Sequence, residues 1–343
     1  MEMDERKIKI LQAIILDYID TAEPVGSRTI AKKYDLGISS ATIRNEMADL
    51  EEMGYLEQLH SSSGRKPSDK GYRLYVDKLM QVSRVTYEEE EFIKKHIIKS
   101  TLHEIDKVIK EASYLLAELT RLTSVVKAPS FRKGKIKSIQ LIHIDNNNIL
   151  SVIVIDRGII KNNLIRMTKS IDTELLVKIN NLLNIRLSNL NIEEINLEVI
   201  NNLKSDLFGY EEIFNSIMPV IYESLNSMES SDIYFEGTTN IFHYPEYNDI
   251  QRAKEFLSLI DNKKKVNDLM NSTESMDIKI GGENFLEDAK ECSIVSAVYS
   301  IGGRPLGSIG VIGPTRMPYD KVISILAAVV NELNKTLTDD YIR

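Results

Sequence analysis

Ser39-Ser40-Ala41-Thr42-Ile43-Arg44-Asn45-Glu46-Met47-Ala48-Asp49-Leu50 is the stretch on which the N-terminal fold turns. At roughly 100° per residue, Ile43, Met47 and Leu50 fall within about 60° of one another and form a core-facing stripe. The opposite face carries Ala41, Arg44, Asn45 and Ala48, with Thr42 at its edge. Ser39 has the chemistry of an N-cap and Gly54 that of a stop, so the spacing predicts a helix over Ser40–Met53. A helix with one apolar stripe and an opposite face of small, arginine and amide side chains suits a DNA major groove. Alanine lets the backbone approach, arginine donates a bidentate pair to guanine, and asparagine pairs with adenine. The expected base-reading set is Ser40, Ala41, Thr42, Arg44 and Asn45, all in the half of the helix that a recognition helix points at the bases.

The flanking sequence fits the same unit. Upstream, Asp4–Thr21 reads as a helix whose face is Ile8, Leu11, Ile15 and Tyr18, widened by Ile14 and Ile19. Glu23-Pro24 ends it, because the residue before proline avoids helical angles. Ser27 is expected to cap a short helix, Arg28–Lys33, and Tyr34–Ile38 with its glycine makes a tight connection, giving a helix-turn-helix pattern. Downstream, Tyr55–His60 reads as a short strand. Ser61-Ser62-Ser63-Gly64-Arg65-Lys66-Pro67 then reads as a flexible basic loop, the look of a wing. Between 60 and 73, Arg65, Lys66, Lys70 and Arg73 are opposed only by Asp69. The expected wing and phosphate contacts are Arg28, His60, Ser62, Arg65, Lys66, Lys70 and Arg73. Tyr72–Met80 would be the closing helix.

The rest of the chain sets limits on function. It has 343 residues, 43 Lys+Arg against 51 Asp+Glu, and a net charge of −8. A protein that coats nucleic acid indiscriminately is normally basic, so any DNA contact here must come from a local patch. No apolar run is long enough to span a bilayer and the N-terminus has no signal-like apolar region, so a cytoplasmic location is expected. The single cysteine, Cys292, excludes an internal disulfide framework and a cysteine-rich zinc site. It is expected to be a small packed residue at a strand edge.

Beyond residue 80, the acidic run Glu88-Glu89-Glu90-Glu91 suits the first turns of a helix, and residues 81–126 read as mostly helical. Two β-branched runs, 136–144 and 149–155, flank an Asn-rich turn and read as a hairpin, with a second turn at Asp156-Arg157-Gly158 leading into Ile159–Ile165. Helical segments at Leu175–Leu183 and Ile213–Leu225 follow. Strand signals return at 233–237, 278–280, 293–299 and 307–312, and a final helix runs from about Pro318 to Leu337. Strands flanking a helical block read as one α+β domain interrupted by an insertion.

Five segments of the chain resemble a known family. Val25-Gly26-Ser27-Arg28-Thr29-Ile30, Ser40–Met47 and Gly64–Arg73 are similar to the N-terminal domain of the bacterial heat-inducible transcription repressor family HrcA. Ile280-Gly281-Gly282-Glu283-Asn284 and Gly310–Tyr319 resemble that family's C-terminal motifs, with Pro318 where the family usually has an acidic residue. The resemblance implies a multidomain α+β protein. Residues 1–82 would be a winged helix-turn-helix domain, residues 83–165 with 230–343 a GAF-like α+β domain, and residues 166–229 an inserted, mainly helical dimerisation domain. It also implies a homodimer that binds an inverted-repeat operator in double-stranded DNA, represses chaperone operons and is kept active by the GroEL chaperonin.

No catalytic constellation emerges, and no cofactor or metal is expected. His60, His96, His103, His143 and His243 lack metal-ligand spacing. Gly302-Gly303, Gly307, Gly310 and Gly313 form no nucleotide-binding motif and suit a hairpin and strand packing instead. Gly313-Pro314-Thr315-Arg316-Met317 reads as a rigid turn before the last helix, with Arg316 and Met317 as candidates for a subunit interface. Against the repressor stand a small-ligand-sensing regulator using the GAF-like domain, and an enzyme with a DNA-binding tag. The second lacks any acid–base or nucleophile grouping.

Overall fold

A computed structural model describes residues 3–58, 64–99, 105–128, 135–155, 159–167, 171–191, 194–226, 233–271 and 274–342. The chain opens with helix α1 (Glu5–Thr21), whose first turn is tied by the Asp4 carboxylate accepting from the Lys7 N–H at 2.8 Å. Ile10, Leu11, Ala13, Ile14 and Ile15 are its buried apolar residues, while Ile8 is only half-buried. The stripe is therefore centred away from the expected Ile8–Tyr18 line, because α1 packs on several neighbours at once. Helix α2 (Ser27–Lys33) begins at Ser27 itself. Gly26 occupies the cap without a side-chain bond, so Ser27 is not the cap the sequence suggested. In α3 (Ser40–Glu52) the Ser39 hydroxyl accepts from Thr42 N–H at 3.1 Å, and Ile43, Met47 and Leu50 are buried as expected.

Strands β1 (Leu56–Glu57) and β2 (Lys66–Pro67) pair antiparallel, Leu56 with Pro67 and Glu57 with Lys66. Just before β2, Arg65 exchanges two backbone hydrogen bonds with Val25, at 2.8 and 2.9 Å, which fastens the ribbon to the entry of α2. Gly64 makes that approach possible: a Cβ there would lie 2.5 Å from the Val25 carbonyl and 2.6 Å from the Pro24 oxygen. Helix α4 (Asp69–Leu74), continued by a wider turn over Tyr75–Leu79, starts three residues earlier than expected, capped by Ser68 Oγ.

Helices α5 (Tyr87–Lys99) and α6 (Ile105–Thr120) lead into β3 (Thr123–Lys127), a strand inside the segment read as helical. The next part of the chain forms a unit of its own, residues 129–232. It holds the antiparallel sheet β4 (Ile136–Asp145), β5 (Asn148–Ile155) and β6 (Ile159–Arg166), followed by α7 (Thr173–Leu187), α8 (Leu197–Asp206) and α9 (Glu211–Asn226). The expected hairpin is present; the expected turn at 156–158 lies outside the described residues. One face of this sheet, with Ile139, Leu141, Ile149, Ile153 and Ile165, is buried. Asn180 and Asn184, one turn apart on α7, each accept from and donate to the backbone of β4, at Leu141 and Ile139 respectively. The two amides satisfy an edge strand as another strand would.

The other compact unit joins residues 1–128 to 233–343. Its second stretch contains β7 (Ile233–Glu236), α10 (Ile250–Asp261), α11 (Lys263–Leu269), β8 (Met276–Ile280), β9 (Cys292–Ile301), β10 (Arg304–Pro314) and α12 (Tyr319–Ile342). The five strands form one antiparallel sheet in the order β7-β3-β10-β9-β8. Alternate residues point to opposite sides. Val126, Val295, Ile309 and Val311 join a cluster with α6 and α12; Val125, Ile294 and Ile312 join one with α10 and α11. The first cluster continues into α1, α3 and α4, so the N-terminal helices and the sheet share one apolar core.

Two expectations are corrected by this layout. The 136–166 strands hydrogen-bond among themselves and not with the five-stranded sheet, so the break expected near 165 falls near 129. Residue 82 marks no break in packing, because Tyr72 and Tyr75 are buried in the shared core. Cys292 is a packed residue as expected, 3.7 Å from the Tyr247 hydroxyl, and burial pushes its thiol up to about 11.

Asn284, buried after β8, donates to the carbonyls of Gly281, Ala289 and Cys292 at 2.9–3.1 Å and so folds the β8–β9 connection. Asn284→Ala removes these side-chain bonds, leaving Gly281 only its bond from the Asn284 backbone N–H, and is expected to cost about 1–3 kcal/mol in urea unfolding. Asn284→Asp, which sets a carboxylate against carbonyl oxygens, should cost more; an Asp variant as stable as wild type would discount this role. Gly64→Ala is expected to destabilise the β-ribbon by about 1–3 kcal/mol, since a methyl group must displace backbone atoms. Unchanged amide exchange at Val25 and Arg65 would show that the approach is not tight.

Candidate nucleic-acid interface

The buried stripe of α3 turns its other face outward. Ala41, Arg44, Asn45 and Ala48 are exposed and Thr42 is half-exposed. This face lines a cleft of about 690 Å³ with Arg28 from the first turns of α2 and Arg65 from the ribbon. The structure thereby brings together Arg28, Ser40, Ala41, Arg44, Asn45 and Arg65 of the expected set. Among the described residues, Arg28 and Arg44 make no ion pair and the Asn45 amide no hydrogen bond.

The acidic residues of α3 are held elsewhere. Lys7 of α1, itself buried, lies 2.9 Å from Glu46 and 3.1 Å from Asp49, and those hydrogen bonds raise its pKa. Arg6 adds a contact to Glu46 at 3.3 Å. On the next turn Arg65 donates from Nε to Glu51 at 2.7 Å. The helix is thus fixed from behind by cations, and three of its acidic groups, Glu46, Asp49 and Glu51, are paired within the protein.

The remaining expected contacts fall in different places. Lys66 lies beside Glu57 on the paired strands, at 3.1 Å. Lys70 stands on α4 with Arg73, because that helix begins at Asp69 rather than at Tyr72. Lys70 donates to the Met53 carbonyl at the end of α3, at 2.8 Å, and covers the Tyr55 ring. Arg73 pairs with Glu283 and Asp77 and donates to the Ile278 carbonyl, so it faces the C-terminal domain. His60 and Ser62 lie outside the described residues.

Arg316 and Met317 also face inward. Met317 is fully buried and Arg316 is 7% exposed. The Arg316 guanidinium pairs with Glu246 at 2.6 Å, donates to the Ile19 carbonyl at the end of α1, and lies over the Tyr244 ring. The contacts that Arg316 makes are thus within the chain, between the segment before α12, the end of α1 and Glu246. Asp69, Glu246 and Glu283 were missed in the sequence. Their only signal was that Gly281-Gly282-Glu283 formed a family motif with no evident local role.

A family model described as the HrcA protein C terminal domain matches residues 106–323. The heat-inducible transcription repressor HrcA of Clostridium tetani is 63% identical over all 343 residues, covering 98% of that protein. The repressor of the same name from Clostridium acetobutylicum is 58% identical over 337 residues, 98% of each chain. A crystal structure of a hypothetical protein at 2.2 Å resolution shares the fold, with a TM-score of 0.69 and 24% identity over 99% of this chain and 100% of that one. With a sheet-and-helix architecture matched end to end and more than half its residues shared with these relatives, the chain belongs to the HrcA family of heat-inducible transcription repressors.

Proposed function

We propose that residues 1–80 act as a winged helix in which α3 enters the major groove and the β1–β2 ribbon is the base of the wing. Two copies in a homodimer then read the halves of an inverted-repeat operator that controls chaperone genes. The observation that carries this reading is the outward face of α3 with the adjoining start of α2: Arg44 and Arg28 without ion-pair partners and the Asn45 amide without a bond among the described residues, with Ala41 and Ala48 beside them. Arg44 and Asn45 read base edges, and Arg28 and Arg65 hold phosphate. Lys70 and Arg73 are left out of the interface because they do not line the α3 cleft, whereas Arg65 lines it while its Nε pairs with Glu51.

The sheet of the 129–232 unit supports dimerisation. Its buried face accounts for only half of its apolar residues. The opposite face carries Ile142, Leu150 and Leu164 in one cross-strand row, Val154 beside Ile160 in another, and Ile144 at the end. Ile142, Ile144, Ile160 and Leu164 are exposed in the single chain. A sheet face of this kind calls for a cover, and a second copy supplies an identical one about a two-fold axis. The same two-fold matches the symmetry of an inverted repeat. The GAF-like label for the five-stranded sheet, the cytoplasmic location and the chaperonin GroEL as modulator rest on the family resemblance.

Quantitative footprinting on operator and mutated operators tests the assignment of reading and anchoring residues. Arg44→Ala or Asn45→Ala should relax base preference by about 1–3 kcal/mol, whereas Arg28→Ala or Arg65→Ala should weaken all sequences alike and flatten the salt slope. Indistinguishable behaviour of the two sets would refute the division. For the dimer, Ile160→Glu combined with Leu164→Glu should give a folded monomer in sedimentation. Its operator affinity should fall by about 100-fold or more as avidity is lost. A double variant that stays dimeric moves the interface elsewhere.

A further inference from the structure

The N-terminal reading unit and the five-stranded-sheet domain are joined by more than apolar packing. One anchor lies on α4. Arg73 grips Glu283 with two nitrogens and donates to the Ile278 carbonyl, while the Asp69 carboxylate accepts from the Gly282 N–H at 2.7 Å. Gly281 is needed there, with a φ of +51° and no room for a Cβ, which would lie 2.2 Å from the Asp69 carboxylate. Burial holds the Asp69 pKa above its ordinary value. It acts against the Glu283 carboxylate too, but the bonds from Arg73 and the Ile280 N–H bring that group below its ordinary value. A second anchor lies at the end of α1, where Arg316 links the Ile19 carbonyl to Glu246. Between them Tyr72 packs against Tyr319, with ring centroids 5.9 Å apart and the ring planes tilted by 52°.

Two polar anchors on different helices, with an aromatic contact between them, leave a rigid body little freedom to rotate. Ion pairs taken out of water add little net adhesion, since desolvation offsets most of the attraction, but a bidentate arginine–carboxylate pair fixes direction. The junction also buries the Tyr72 hydroxyl, which has no partner among the described residues. It is built for orientation more than for adhesion.

We propose that Arg73–Glu283 and Arg316–Glu246 are positioning contacts that set which half-site spacing the repressor accepts. The inference rests on the dimeric, inverted-repeat reading above. In a two-fold dimer the separation of the two reading helices is fixed only if every link from each reading unit to the two-fold axis is stiff. The junction is the first of those links. Neither glutamate belongs to the DNA surface, and both lie on the C-terminal domain, so the contacts act on binding only through the angle at which α3 is presented.

The test uses full-length Glu283→Gln, Glu246→Gln and the double variant, with operators whose central spacer is native, shortened or lengthened by two base pairs, and with an isolated half-site. Wild type should prefer the native spacing by about tenfold or more, as expected where only one geometry engages both sites. The double variant should bind the half-site as wild type does, which also shows that its reading unit is folded, yet its spacing preference should drop to about two- or threefold. Spin labels on Lys32→Cys and Lys264→Cys, with Cys292 buried, report the angle directly, and their distance distribution should broaden in the double variant. A double variant that keeps either the narrow distribution or the wild-type spacing preference overturns the proposal. A weakened half-site would show that the glutamates support the reading unit itself, which also overturns it. A wild type indifferent to spacing and to the second half-site sinks the dimeric reading instead, and is distinguished by its flat response before any variant is compared.

Discussion

Lys7 holds together the end of this molecule proposed to face DNA. An acidic chain must approach a polyanion, and the helix proposed to make that approach carries Glu46, Asp49, Glu51 and Glu52. Left facing solvent, these groups would repel phosphate across a distance comparable with the Debye length. Lys7 takes Glu46 and Asp49 on the buried side of α3, and Arg65 takes Glu51. The helix is thereby pinned to α1 at the same time as its charge is masked. A buried ammonium with two carboxylates is no great gain in stability. Its worth lies in specifying the rotation of α3, so that Arg44 and Asn45 point outward while Ile43, Met47 and Leu50 stay in the core.

The same economy appears in the ribbon. Arg65 contributes its backbone to Val25 and its Nε to Glu51. The ribbon therefore cannot move without disturbing both the entry of α2 and the end of α3. Lys70, at the last carbonyls of α3, adds a cation where the helix dipole is negative. Charges that look in sequence like a loop waiting for phosphate are partly structural. The positive surface that remains is small and precisely placed, as a protein of net charge −8 requires if it is to discriminate sites rather than coat DNA.

How much of this was legible in the sequence follows from the range of each interaction. The stripe on α3, its Ser39 cap and the Ala/Arg/Asn face are local, and periodicity alone places them. The final helix, the returning strands and the 136–155 hairpin are local in the same sense. Lys70 was misplaced because Ser68 caps a helix that begins three residues before the expected Tyr72, which turns a loop cation into a helix cation; Arg73, expected on the helix, turns toward Glu283 instead of phosphate. Strand β3 escaped notice because five residues after a long helix carry too little alternation to be told from its end. The domain boundary near 129 was invisible for a different reason. Both sheets are built from β-branched runs, and only the hydrogen-bond partners tell one from the other. Arg73 to Glu283 and Arg316 to Ile19 span more than 200 residues; periodicity carries no trace of them.

The insertion shows why pairing matters more than composition. Segment 171–226 is rich in asparagine, a residue that usually marks turns. Asn180 and Asn184 instead stand mid-helix, where their amides complete the backbone bonding of β4. An edge closed in this way cannot recruit a strand from another molecule, so association is steered away from the β4 edge and toward the apolar outer face of the sheet. Association through a face preserves two-fold symmetry and terminates at two copies, whereas association through edges can continue without limit. The dimer proposed above, with two reading helices on one operator, needs the first kind of contact, and Asn180 and Asn184, by closing the β4 edge, favour it.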